Sequence, residues 1–441
     1  MEAIMKPIKV GLLGLGIVGG GTLTVLRRNA VEITRRAGRE IIVTMAAVRD
    51  LEKARKYAAA DMQLTDNPFA IIDNPDIDIV VEMIGGVTLA KELILMAIAR
   101  GKHVVTANKA LIACHATEIF AAAQQYGVMV AFEAAVGGGI PIIKAIREGL
   151  TANRIEWIAG IINGTTNFIL SEMRDKGTEF ADALLAAQEL GYAEADPAFD
   201  IEGIDAAHKL TIMSAIAFGI PVQFDCAHIE GITKLTGDDV KYAEQLGYRI
   251  KLLGITKRTP KGIELRVHPA LIPERRLLAN VDGAMNAILV KGDAVGITLY
   301  YGAGAGAEPT ASSVVADLVD VTRMHTADPN NRVPHLAFQP DTLSAEPILP
   351  MGEVRTAYYL RLRAIDEAGV LADVTRILAD SDISIDAMIQ KEPEITRTLV
   401  DIVILTHRCI EKDIDAAMLE IEALPAISGK IARIRLEHLD R

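Results

Sequence analysis

The chain has 441 residues, half of them apolar and 24% charged, with a formal net charge of -12. That length exceeds what one core holds, so two or three domains are expected, and a sequence pI near 5.3 argues against nucleic acid or an anionic membrane surface as the main partner. Cys114, Cys226 and Cys409 lie far apart, with no disulfide framework or zinc-ligand spacing, and no uncharged apolar run reaches the ~18 residues of a membrane span, so a reducing, cytoplasmic compartment is expected.

Residues 8–13 form a β-rich run, followed at once by Gly14-Leu15-Gly16-Ile17-Val18-Gly19 and a helical pattern to about Arg28. A strand before and a helix after turn this glycine spacing into a dinucleotide-binding signal. Gly14 permits the tight turn, Gly16 lets the backbone approach a pyrophosphate, and Gly19 allows the helix to pack on the strand. The helix amino terminus, at Ile17 and Val18, offers its N–H groups to the phosphates.

Buried strands are expected over 41–48, 77–83, 103–106 and 128–132, separated by helix-compatible sequence, which is the pattern of a Rossmann-type doubly wound sheet. The second of these strands ends in Val48-Arg49-Asp50. Arg49 is placed to meet a 2′-phosphate and Asp50 to serve a 2′-hydroxyl; a phosphate rewards an arginine fork more, so NADP(H) is preferred and NAD(H) is the alternative. Val104-Val105-Thr106-Ala107-Asn108-Lys109 closes a later strand, and ligands of open α/β sheets sit at carboxyl ends, so Lys109 should face the site.

Glu133 opens the run Glu133-Ala134-Ala135-Val136-Gly137-Gly138-Gly139-Ile140-Pro141. Three glycines let backbone carbonyls crowd one point, as a hard monovalent cation needs, with Glu133 supplying charge; a flexible interdomain hinge is the other reading.

From about residue 147 the pattern changes to a strand over 154–162 that runs into Asn163-Gly164-Thr165-Thr166-Asn167, which opens a helix. Helices over 180–190 and 204–218 and strands over 249–256, 263–269, 287–291 and 296–301 describe a second α/β domain with an antiparallel or mixed sheet. Residues 191–209, GYAEADPAFDIEGIDAAHK, concentrate five carboxylates and one lysine. Glu194, Asp196 and Asp200 fall in its Gly/Asp/Pro-rich half, expected to be an irregular loop. Asp205 and Lys209 are four apart and share one helix face. An exposed acidic loop with a surface ion pair is the plain alternative. Gly302, Gly304 and Gly306 read as a return loop into a helix over 309–324 that packs back on the first domain.

Here a resemblance becomes specific. The glycine fingerprint, VTANKAL at 105–111, EAAVGGGIPI at 133–142, GIINGTTNFIL at 160–170, and GYAEADP followed by GIDAAHKL within 191–210 closely resemble homoserine dehydrogenases, in the family's order, to about residue 330. The resemblance implies reversible reduction of L-aspartate 4-semialdehyde to L-homoserine, the branch point toward threonine and methionine. It implies Lys209 and Lys109 as proton-transfer lysines, Asp205 beside Lys209, and Glu194 on the substrate's amino group. Tyr192, Asp200, Gly164 and Thr165 would complete the pocket. Glu133 with the carbonyls of Val136, Gly138 and Ile140 would match a monovalent-cation site for Na+ or K+; Thr106 and Gly306 would meet the cofactor. Hydride addition to an aldehyde charges the carbonyl oxygen, which must be stabilised and protonated, so these residue types suit the chemistry.

Residues 331–355, with Pro334, Pro340, Pro347 and Pro350, read as an extended linker. Beyond it, a strand over 357–364, the turn Asp366-Glu367-Ala368-Gly369-Val370-Leu371 into a helix to 380, segments over 383–390 and 397–407, a helix over 414–424 and a strand over 432–436 give a βαββαβ order of ferredoxin-like size. This resembles an ACT domain, whose loops bind a free amino acid. The implied ligand is threonine, with Gly369, Val370, Leu371 and Ala372 offering backbone groups; a module used only for oligomerisation is the alternative.

The expected division is 1–146 with 305–330 for the dinucleotide, 147–304 for substrate binding, catalysis and dimerisation, 331–355 as linker and 356–441 as the ACT domain, in a homodimer or homotetramer. Two other readings stand beside the dehydrogenase. One is an NADP-dependent semialdehyde dehydrogenase acting through a thioester, for which Cys226 lacks a supporting motif. The other is a non-catalytic amino-acid sensor.

Overall fold

The computed structural model describes residues 6–58, 62–390 and 399–439. In chain order, β1 (Ile8–Leu13), α1 (Ile17–Arg28), α2 (Ala30–Ala37), β2 (Ile41–Ala47), α3 (Leu51–Ala54), β3 (Gln63–Thr65), α4 (Phe69–Asp73), β4 (Ile79–Glu82), α5 (Thr88–Ala99), β5 (His103–Thr106), α6 (Lys109–Gln125) and β6 (Val130–Ala131) alternate strand and helix. Then come α7 (Ile142–Lys144), β7 (Ile155–Ile161), α8 (Gly164–Lys176), α9 (Phe180–Glu189), α10 (Ala198–Ile201), α11 (Ile204–Phe218), β8 (His228–Ile229), α12 (Gly237–Gln245), β9 (Tyr248–Thr259), β10 (Gly262–Pro273), β11 (Met285–Gly292), β12 (Gly296–Ala303) and α13 (Ala307–Met324). The last stretch holds β13 (Arg355–Ile365), α14 (Val370–Asp380), β14 (Ile385–Gln390), β15 (Leu399–Thr406), β16 (Cys409–Ile410), α15 (Glu411–Glu422) and β17 (Ala432–Leu436).

These elements fold into two compact units: Met1–Ile158 with Ala207–Cys226 and Asn286–Glu346, and Ala159–Ala206 with Ala227–Met285 and Pro347–Arg441. In the first, six parallel strands lie in the order β3-β2-β1-β4-β5-β6. Alternate residues feed opposite faces, as the period of two requires: Ile79, Val81 and Val105 join the core under α1 and α13, while Val80 and Val104 join the core under α5 and α6. Apolar residues on both faces are what a parallel sheet covered by helices needs.

The second unit is built on the antiparallel pair β9–β10, with β10 also pairing in parallel with β8 and β17. Its carboxyl-terminal half has the order β17-β13-β15-β14, antiparallel throughout, with α14 and α15 sharing one buried apolar cluster. That is the expected βαββαβ fold. Of the segment expected over 397–407, residues 397 and 398 lie outside the described residues, and Leu399–Thr406 forms β15.

Three details depart from the sequence reading. Asp200 stands in the short helix α10 where an irregular loop was expected, because Pro197 enters that turn and the Asp196 carboxylate accepts the Ala198 N–H at 3.2 Å. The polar helix α12 carries no apolar stripe to announce it, and starts on a Thr236–Asp239 capping box. The 331–355 linker is packed: His335 Nε2 accepts the Val130 N–H at 3.2 Å, its ring stacks on Phe120 at 4.7 Å, and Leu336 is buried. A cavity of about 760 Å³ lies in the first unit among α6, the end of α13 and residues 329–343; none of the predicted site residues lines it. Among the described residues no helix is long and apolar enough to cross a membrane.

Candidate functional site

The first unit carries the glycine cradle. Gly14 has φ +99°, and a Cβ there would lie 2.9 Å from the Met83 carbonyl oxygen; a Cβ on Gly19 would lie 2.5 Å from that of Gly14. Gly16 has no atom within 4 Å of its Cβ position, and Ile17 beyond it is 74% exposed. Main chain therefore closes the turn at Gly14 and Gly19 and leaves room above Gly16, at the amino end of α1 where Val18 is half-buried, which fits a bound pyrophosphate. Gly306, with φ +119°, caps α13, which packs along α1; a Cβ on Gly21 would lie 2.5 Å from the Ala307 carbonyl oxygen.

At the end of β2 the two ribose candidates separate. Asp50 is the N-cap of α3: its Oδ1 accepts the Lys53 N–H at 3.1 Å and its Oδ2 pairs with Lys53 Nζ at 3.2 Å. The Lys53 backbone N–H holds the Asp50 carboxyl below its usual range. Arg49 is exposed beside it.

At the ends of β4 and β5 a residue missed by sequence reasoning organises the loops. Glu82 is buried, and its carboxylate accepts Thr106 Oγ1 at 2.7 Å, Ile84 N at 2.9 Å and Gly85 N at 3.0 Å; burial raises its pKa. The Thr106 hydroxyl is thus turned inward, and it accepts the Asn108 N–H at 3.0 Å. Asn108 caps α6 and donates to the Gly86 carbonyl at 2.7 Å, which sets Lys109 as the first residue of that helix. Glu82 reads in the sequence as the polar end of a strand, and nothing local marks it.

Glu133 is 3% exposed, and its two carboxylate oxygens accept the Ile143 and Lys144 N–H groups at 2.8 and 2.7 Å. Its own N–H donates to Asp317 Oδ2 at 2.8 Å. Burial raises the pKa of both acids, that of Asp317 further because Glu133 is close. The Gly138 carbonyl accepts Ser313 Oγ at 2.6 Å, and the Ile140 carbonyl accepts the Ile142 N–H at 2.8 Å. Each oxygen keeps a further lone pair, and these are hard oxygen donors of the kind a monovalent cation takes. Val136 is buried beside them. Among the described residues no group of three or more His, Cys, Asp or Glu could hold a metal ion.

The second unit gathers the acidic residues. Asn163, the N-cap of α8, uses one amide nitrogen to hold two carboxylates, donating to Asp200 Oδ1 at 2.7 Å and Asp205 Oδ2 at 2.9 Å. Its Oδ1 accepts the Thr166 N–H at 2.8 Å and the Thr166 hydroxyl at 2.9 Å. The Thr165 hydroxyl donates to the Tyr192 carbonyl at 2.7 Å and reaches Asp200 Oδ2 at 3.3 Å. Gly164 lies against Ala284, whose carbonyl oxygen a Cβ would approach to 2.7 Å. The Tyr192 ring rests 4.8 Å from that of Phe168, and Glu194 is exposed, its carbonyl accepting Gln188 Nε2 at 3.1 Å. Asp205 in this unit and Lys209, which belongs to the first, are 4% and 8% exposed on α11, so the surface ion-pair reading fails. In the carboxyl-terminal half, Gly369 caps α14 at φ +102° with open space at its Cβ position; Val370 is buried, Leu371 half-buried and Ala372 exposed.

Comparison with known proteins agrees with this geometry. A family model described as "Homoserine dehydrogenase" matches residues 141–319, one described as "Homoserine dehydrogenase, NAD binding domain" matches 14–133, and the ACT domain model matches 358–426. The homoserine dehydrogenase of Pseudomonas aeruginosa is 64% identical over 436 residues, 99% of this chain and 100% of its own length. That of Neisseria gonorrhoeae is 59% identical over 435 residues, with coverage of 99% and 100%. A crystal structure of a homoserine dehydrogenase from Thiobacillus denitrificans matches with a TM-score of 0.95 at 73% identity, covering 99% of both chains. A hyperthermophilic archaeal homoserine dehydrogenase in complex with NADPH matches with a TM-score of 0.61 at 25% identity, covering 72% of this chain and 98% of that one. With relatives this similar aligned from end to end, the chain belongs to the homoserine dehydrogenase family.

Proposed function

We propose that this oxidoreductase interconverts L-homoserine and L-aspartate 4-semialdehyde with NADP(H) preferred over NAD(H), at the branch toward threonine and methionine. The observation that carries the reading is the Asn163 amide, which draws Asp200 and Asp205 together at the amino end of α8. Two carboxylates held by one neutral donor, Asp205 buried and Asp200 half-buried, suit a cationic partner, and the substrate's ammonium group and Lys209 are such partners. The nicotinamide, when bound, supplies or takes the hydride. In the direction of reduction Lys209 gives the proton to the carbonyl oxygen, and Asp205, one turn earlier on α11, steadies it. Glu194 binds the ammonium with Asp200; Tyr192, Gly164 and Thr165 shape the pocket; Lys109 is the second lysine at the reacting centre. Gly14, Gly16, Ile17, Val18, Gly19, Thr106 and Gly306 belong to the cofactor.

The preference for NADP(H) is supported by Arg49, which stays exposed at the end of β2 while the Asp50 carboxylate beside it caps α3. The NADPH complex of the archaeal relative is consistent with it. Replacing Arg49 by alanine is expected to raise KM for NADP+ by about tenfold, one charge-assisted contact, with KM for NAD+ little changed. Equal losses with both cofactors would remove this assignment.

Glu133 and the carbonyls of Val136, Gly138 and Ile140 would hold Na+ or K+, and threonine would bind at Gly369, Val370, Leu371 and Ala372 as a feedback effector. A ligand that binds only the folded state raises its melting temperature. Exchanging K+ and Na+ for a bulky organic cation is therefore expected to lower the melting temperature, and millimolar threonine to raise it. No shift on cation exchange removes the cation site, and no shift with threonine leaves the ACT module to assembly alone.

A homodimer or homotetramer is supported by β12, where Ile297, Leu299 and Tyr301 expose alternate apolar side chains; a monomer by light scattering would contradict it. Three free thiols, two of them exposed, suit a reducing, cytoplasmic compartment, and an export signal seen in the full gene product would contradict that.

A further inference from the structure

Glu230 follows β8 in the second unit and is gripped by the fork of Arg435 on β17: Nη1 donates to Oε2 and Nη2 to Oε1, both at 2.8 Å. Arg433 adds a donor at 3.4 Å, and His228 Nε2 lies 2.9 Å from Oε1. Arg435 is almost wholly buried and is held in turn by Glu411, the first residue of α15, which also accepts the Tyr358 hydroxyl of β13 at 2.6 Å. The clamp is anchored in three elements of the ferredoxin-like half.

Immediately after Glu230, the main chain touches the helix that carries Asp200. Ile232 N donates to the Ile201 carbonyl at 2.9 Å, and Thr233 Oγ1 donates to Glu202 Oε1 at 3.2 Å. Gly231 packs so closely that a Cβ on it would overlap that same Ile201 carbonyl oxygen. Ile201 closes α10, and Asp200 beside it accepts from Asn163 and Thr165.

We propose that Glu230 is a positioning residue for Asp200: the arginine clamp fixes segment 230–233, that segment fixes α10, and α10 fixes the carboxylate that reads the substrate. The inference rests on the reading of Asp200 as a substrate residue. A two-arginine grip on a carboxylate is geometrically stiff, so the tether has one resting place.

The test is steady-state kinetics of Glu230→Gln and Gly231→Ala, with Asp200→Asn as reference and a melting curve for each. For Glu230→Gln, KM for homoserine is expected to rise about fivefold, with kcat and KM for NADP+ held within about twofold. Gly231→Ala leaves every charge in place and should give the same shift by displacing Ile201. Glu230→Asp, which keeps the charge, should recover part of the loss. A clamp that serves stability alone lowers the melting temperature of Glu230→Gln and leaves its KM for homoserine unchanged, and that result overturns the proposal. If Glu230→Gln does not fold, an unchanged KM in Gly231→Ala overturns it instead. A wild-type KM in Asp200→Asn would sink the substrate reading and this inference together; a raised KM there with none in the other two removes this inference alone.

Discussion

Replacing Lys209 by alanine is expected to lower kcat for homoserine oxidation by about 10²- to 10⁴-fold, the range of a lost general acid or base, or roughly 3 to 5 kcal/mol of transition-state stabilisation. Lys209 is 8% exposed among buried Ala206, Ala207, Leu210, Ile212 and Met213 on α11. An ammonium taken out of water in such surroundings needs a reason, because lysines are rarely this buried without a charge to answer. Asp205, one turn back on α11 and 4% exposed, is expected to be that charge. If Lys209 moves the proton, the variant keeps its affinity for NADPH, measured by fluorescence titration, and a small primary amine restores part of kcat. Lys209→Arg, which keeps the charge, stays slow, since a guanidinium does not release its proton. A lysine with only a structural duty would give a different pattern: a lower melting temperature, near-normal kcat in the folded fraction and no amine rescue.

Asn163→Asp is the second large effect expected. The substitution changes one atom type and no volume, yet it puts an oxygen where Nδ2 now donates at 2.7 and 2.9 Å to Asp200 and Asp205. Three carboxylates then converge in a buried site, and like charges raise the pKa of at least one of them. Breaking a buried charge arrangement costs about 3–5 kcal/mol of stability, and the displaced carboxylates should lower kcat/KM by about 10²-fold at pH 7. The sign with pH follows. A carboxyl whose folded pKa is raised favours folding below its unfolded pKa, and that stability is lost as pH rises through the folded value. The variant's loss of melting temperature relative to wild type therefore shrinks toward acid pH, where a shared proton replaces the amide hydrogen, and widens toward alkaline pH. A deficit independent of pH would show that the amide does not hold these two acids apart from their mutual repulsion.

The parts of the fold that were legible in the sequence are those written locally. Gly14, Gly16 and Gly19 stand between a strand and a helix that fix their meaning, and all three occupy the conformations their spacing implies. The apolar run of α11 gives its bounds, Ile204–Phe218, as expected, and β17 likewise, while α14 ends at Asp380 as expected but starts at Val370, inside the expected turn. What stayed hidden depends on partners far along the chain. Asn163 was visible as a helix opener, but its acceptors lie 37 and 42 residues away. Glu82 answers Thr106, and Glu230 answers Arg435, 205 residues later. No periodicity carries such pairings. Prolines mark 331–355 as an extended linker, but short helical turns stand at Pro340–Thr342 and Met351–Glu353, and whether such a segment packs is decided by what it meets, here the edge at Val130 and the ring of Phe120. The roles of Lys209 and Lys109 came from motif resemblance, since one turn of helix between an acid and a lysine is common on surfaces.

The initial rate of homoserine-dependent NADP+ reduction, wild type beside Lys209→Ala and with NAD+ as the second cofactor, decides whether Lys209 moves the proton. With Lys209 in that role, NADPH formation requires L-homoserine, kcat/KM is higher with NADP+ than with NAD+, and the variant loses nearly all turnover. Near-normal turnover by a folded Lys209→Ala enzyme would contradict that assignment.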